Sequence, residues 1–109
     1  MSSINERDLA RVFSALGDPT RVGLLMKILP AGALSATALA EGQSITRQAV
    51  VKHLQVLESA DIVAHKRRGR EVIYEINREK FSDAQNFINL VSDGWDEAFM
   101  KLKSVVENE

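Results

Sequence analysis

The chain has 109 residues, 45% of them apolar and 27% charged, which suits one soluble globular domain with a single modest core. It has no cysteine, which excludes disulfides, thiolate metal sites and thiol redox switching. The net charge of −1 hides a segregation: residues 47–70 hold six basic side chains against two acids, whereas 79–109 hold three against seven.

The N-terminal stretch MSSINERDLARVF is charged and has no apolar run of signal-peptide type. No stretch approaches the ~20 apolar residues of a membrane span. These features predict a cytoplasmic protein with no membrane partner. Residues 4–16 are predicted to form a helix with Leu9, Val12, Phe13 and Leu16 on one face, ended by Gly17. Asp18 then caps a helix that starts at Pro19, where a missing N–H is harmless. Its apolar stripe reads Val22, Leu25, Met26 and Leu29, and Pro30 and Gly32 stop it. Ser35 caps a short helix through Glu41, with Leu39 inward, and Gly42 opens the turn GQSI. Thr46 caps the next helix, which runs to about Ala60. Two short helices joined by a tight turn, over about 35–60, match a helix-turn-helix. IVAHKRR and EVIYEI flank Gly69 and predict a hairpin over about 62–76 with a basic tip. A long helix over about 78–106 completes a single domain spanning 1–109.

The helix at 46–60 divides into two faces at about 100° per residue. Ala49, Val50, Leu54, Leu57 and Ala60 form the packing side. Arg47, Gln48, Val51, Lys52 and Gln55 form an opposite arc with no acid before Glu58. Any one of these residues alone reads as solvated surface. The whole arc, on a helix that follows a helix-turn, suits the DNA major groove. Arg47 could grip guanine, Gln48 adenine, and Lys52 a phosphate or guanine; Thr46 could donate to a phosphate as well as cap. Val51 is expected to face out and meet a thymine methyl. His53 falls on the inward side, which favours a packed, hydrogen-bonded imidazole; a phosphate contact stays open if it lies at the rim. Lys66, Arg67, Arg68 and Arg70 surround the hairpin tip, where they could follow the phosphate backbone or enter a narrow minor groove.

Three blocks, FSALGDPTRVGLL at 13–25, TRQAVVKHLQVLESADIV at 46–63 and KRRGREVIYEI at 66–76, together resemble the ArsR/SmtB family of bacterial winged-helix repressors. The resemblance implies a mainly α (α+β) winged helix-turn-helix fold. It has a two-stranded β-wing and long N- and C-terminal dimerisation helices. It also implies a homodimer that binds double-stranded operator DNA until an effector releases it. Thr46 and Val51 stand where the family's recognition helix commonly has serines; Thr46 keeps the capping hydroxyl and Val51 does not.

The family's metal sites are not matched. Ser35 and Thr37 occupy the positions of the cysteine site, and of the ligands on the terminal helix only Asp83 has a counterpart. The two histidines, His53 and His65, lie in the DNA-binding half. Neither a metal nor a cofactor is therefore expected, although Asp83, Asp93, Asp96 and Glu97 leave a carboxylate-based metal response as an alternative. An unidentified small-molecule effector is the other option. No nucleophile–base set, phosphate loop or nucleophile elbow is present, so no enzyme is expected.

The terminal helix spans roughly 40 Å at 1.5 Å per residue. Phe87, Val91, Trp95, Phe99 and Leu102 lie on its apolar stripe. With Leu9, Val12, Phe13 and Leu16 they form the expected dimer surface, which sets the two reading helices ~34 Å apart on an inverted repeat. A winged helix used purely for protein interaction is the alternative from another functional class.

Overall fold

The computed structural model describes residues 5–107, so Ile4, the predicted first residue of the first helix, lies outside the described residues. α1 (Glu6–Leu16) starts instead from Asn5, whose Oδ1 accepts the N–H groups of Arg7 and Asp8 at 2.9 and 3.2 Å. Glu6 and Asp8 in the first turn complement the helix dipole.

α2 (Pro19–Ala31) is capped by Asp18, which accepts the Arg21 N–H at 3.1 Å. It ends at Gly32, whose φ of +79° suits glycine. Pro30 does not stop the helix but sits inside its last turn, where one hydrogen bond is forfeited close to an end that frays anyway. The buried face also differs from the predicted stripe. Leu24, Leu25 and Ile28 are buried, whereas Val22, Met26 and Leu29 are 37%, 65% and 62% exposed. The helix is apolar on nearly every side, so periodicity alone could not choose its inner face.

β1 (Ala33–Ser35), absent from the expected elements, leads into α3 (Ala36–Ala40), capped by Ser35. Gly42, at φ +75°, makes the turn to α4 (Arg47–Ser59). β2 (Val63–Arg68) and β3 (Glu71–Ile76) form the hairpin, with Gly69 at φ +66° in its tip. β1 joins them in an antiparallel sheet of order β1-β3-β2, with Leu34 opposite Tyr74. The wing is two-stranded as expected, but its base is three-stranded. Three residues are too few for alternation to reveal a strand, and β1 exists only because β3 returns beside it.

Val50, Leu54 and Leu57 of α4 meet Leu24, Ile28, Leu39 and Ile62 in the core. α4 closes in a Schellman arrangement: Ile62 N–H donates to Leu57 O and Asp61 N–H to Glu58 O. Asp61 takes the left-handed position, at φ +59°.

α5 (Arg78–Glu107) is one unbroken helix. Ala84 is its one buried residue among those described, Phe81 is half-buried, and every residue from Gln85 to Glu107 is exposed. The radius of gyration, 18.6 Å, exceeds the ~13 Å of a compact chain of this length because α5 projects from the body. Gly94 has no neighbour within 4 Å of where a Cβ would stand, so no close approach within this chain explains it.

Tyr74, buried on β3, is held above its ordinary pKa of 10.0, mainly by burial and also by the charge of Glu58. Folding therefore favours the neutral phenol. That stabilisation is complete below the ordinary value and is lost as pH rises through the folded one. Spectrophotometric titration should find this single tyrosine ionising later in the native protein than in denaturant; an equal or earlier onset would contradict the burial argument.

Candidate nucleic-acid interface

α4 carries the predicted arc. Thr46 caps it, its Oγ1 accepting Ala49 N–H at 3.1 Å. Val50, Leu54 and Leu57 anchor the helix and are fully buried, while Ala49 is half-buried. On the other side Arg47, Gln48, Val51, Lys52 and Gln55 line one open groove. Four of these are exposed; Val51 is half-buried, not fully exposed as expected. Val51 is the apolar member of this groove, and its other lining residues carry hydrogen-bonding side chains.

The wing brings Lys66, Arg67, Arg68 and Arg70 to the surface, all exposed. Lys66 Nζ lies 3.7 Å from Glu75 Oε2, a surface pair of little energetic weight. The three arginines have no ion-pair partner among the described residues. Thus the basic side chains of the tip are available to a polyanion.

His53 is half-buried and hydrogen-bonded, as the helical wheel favoured, and its partner is one that sequence reasoning missed. Arg21 Nη1 lies 3.3 Å from His53 Nδ1. Arg21 also donates from Nε to Ala15 O at 2.7 Å and from Nη2 to Ser14 O at 3.5 Å, satisfying carbonyls at the end of α1. Asp18 Oδ2 is 3.8 Å from His53 Nδ1. The backbone N–H of Arg21 and the charge of its guanidinium hold the Asp18 carboxyl below its ordinary range. The motif DPTR signalled a helix start; that its arginine would reach α1 and α4 depends on tertiary packing.

His65 has a different part. Its Nδ1 lies 2.6 and 2.7 Å from the two carboxylate oxygens of Glu58, and its ring packs against Tyr74 at 5.8 Å. It ties the wing to the end of α4. Among the described residues, no group of three or more His, Asp or Glu side chains comes together to hold a metal ion. No helix in the described residues is long and apolar enough to cross a membrane.

The expected dimer surface divides. Leu9 and Val12 are buried within this chain, so of the four expected α1 residues only the half-buried Phe13 and Leu16 reach the surface. Phe13 meets Phe87 with ring centroids 5.7 Å apart, and both line an apolar groove with Ile88, Val91 and Trp95. Phe99 and Leu102 continue the exposed stripe along α5.

This geometry has known counterparts. Residues 16–66 match the helix-turn-helix domain family. The transcriptional repressor SdpR of Bacillus subtilis is 31% identical over 84 residues, covering 76% of this chain and 92% of SdpR. An ArsR-like transcriptional regulator from Rhodococcus sp. RHA1 superimposes with a TM-score of 0.77 at 30% identity, covering 91% of this chain and 92% of that one. A homodimeric winged helix-turn-helix DNA-binding domain from Mycobacterium bovis, a possible ArsR-family regulator, gives a TM-score of 0.59 at 26% identity over 89% of this chain and 92% of that one. Similar in sequence to SdpR over most of both chains and in fold to the Rhodococcus regulator, the chain belongs to the ArsR/SmtB family of winged helix-turn-helix transcriptional regulators.

Proposed function

We propose that the protein is a cytoplasmic, homodimeric repressor that binds an inverted-repeat operator through α4 and the basic wing. The observation that carries this reading is the arc of Arg47, Gln48, Val51, Lys52 and Gln55, which gathers donors and a methyl-sized pad along one groove with no acid among them. Arg47 grips guanine and Gln48 adenine, Val51 meets a thymine methyl, and Lys52 and Thr46 hold phosphate. Arg67, Arg68 and Arg70 add backbone contacts, so affinity falls steeply with salt. Pairing through α5 is supported by its exposed stripe and by the homodimeric state of the Mycobacterium bovis relative.

The test is a gel shift with DNA from upstream of the protein's own gene, repeated at rising salt. A selective shift that weakens with salt is expected. Arg47→Ala and Gln48→Ala should each cost about 1–3 kcal/mol on the selected site and relax preference at one base position. Equal weakening on selected and random DNA would remove these residues from base reading. No selective shift at low salt would favour a winged helix used for protein contacts instead.

A further inference from the structure

We propose that Arg21 is a positioning residue for DNA binding: it fixes the tautomer of His53 so that the imidazole Nε2–H is presented to an operator phosphate. The inference rests on the DNA-binding reading of α4 given above.

A guanidinium has donors and no acceptor, and it does not lose its proton. The Arg21 Nη1 contact at 3.3 Å therefore requires His53 Nδ1 to accept, which places the ring proton on Nε2. Asp18 is the other charged group facing Nδ1, but it is farther, at 3.8 Å, and its Oδ2 already accepts the Arg21 N–H. Arg21 is itself immobilised by Ala15 O and Ser14 O, so the ring has a fixed donor against it. Nε2 has no partner among the described residues. No side-chain nitrogen or oxygen there is both buried and unpartnered, so Nε2 is open to solvent. A neutral N–H beside a guanidinium, on the helix that enters the groove, suits a phosphate oxygen and supplies register without base selectivity. His65 is arranged oppositely: Glu58 can only accept, so His65 Nδ1 is the donor. The Nδ1 atoms of the two histidines thus have opposite roles, an acceptor in His53 and a donor in His65.

Long-range nitrogen–proton NMR spectra of the free protein, in mildly alkaline buffer, should show His53 protonated at Nε2. They should show that preference lost in Arg21→Lys. His53→Gln places its amide nitrogen near Nε2 and should keep operator affinity within about twofold, whereas His53→Asn, which is too short, should weaken operator and random duplex alike by about three- to tenfold. The salt slope of His53→Asn should stay as in the wild type, because a neutral N–H releases no counterion. Thermal melts establish that each variant is folded, and if Arg21→Lys is not, the two His53 variants decide. An Nδ1-protonated His53 overturns the proposal whatever the DNA does. So does an unchanged His53→Asn while Arg47→Ala still weakens operator binding. A wild-type chain that shifts no duplex sinks the DNA-binding reading and the phosphate contact with it, and the spectra then still report on Arg21 and the tautomer alone.

Discussion

Trp95→Glu is expected to leave the protein folded but monomeric, and to lower operator affinity by about 10²–10⁴-fold through loss of the second, linked half-site. Trp95 is 71% exposed, so a charge there costs the isolated subunit little. In the proposed dimer the same charge would be buried without a partner in an interface lined by Phe87, Val91 and Phe99, which is strongly unfavourable. Sedimentation velocity reports the oligomeric state, circular dichroism the fold and a gel shift the affinity. A glutamate variant that remains dimeric would place the pairing surface elsewhere.

Leu54→Ala should have the largest effect on stability. The side chain is fully buried behind the reading arc, and its truncation should cost about 2–5 kcal/mol. A domain of this size has only about 5–15 kcal/mol in total, so a large drop in melting temperature is expected. Met26→Ala is the matched comparison. At 65% exposure it should change stability by no more than about 0.5 kcal/mol. Urea unfolding of Met26→Ala, with Leu54→Ala as the fully buried reference, tests whether this residue of the expected α2 stripe faces outward as observed. Equal losses would show that Met26 is covered in the protein in solution.

That contrast shows where the sequence is readable. The caps at Asp18, Ser35 and Thr46 were legible because a short polar side chain before an apolar run has a local purpose. The two faces of α4 were legible because one is apolar and the other lacks acids. The same reasoning failed on α2, where Val22, Leu24, Leu25, Met26, Ile28 and Leu29 make every face a candidate. It failed on β1 because pairing with β3 is a long-range event. It did not flag Asp61, where glycine or asparagine is the usual sign of a left-handed helix end. At the candidate site, the arc and the basic tip could be read from residue types and spacing. The Arg21–His53 contact could not, because it joins groups brought together only by the packing of α2 on α4.

The two histidine contacts also distribute order along α4. Side-chain bonds fasten it to the domain at His53 and at Glu58, and the first turn has only its own cap. Arg47 and Gln48, on that turn, have no side-chain partner among the described residues. Their rotamers are thus free in the unbound protein, and on the proposed reading ordering each long side chain on a base costs about 1.5–2 kcal/mol of entropy. A correct base must offset that loss, and an incorrect one does not. On the proposed reading, leaving these two side chains mobile therefore lowers affinity for the operator, on which they become ordered, and spares random DNA, on which they stay free, so a partner that pre-ordered them would sharpen discrimination.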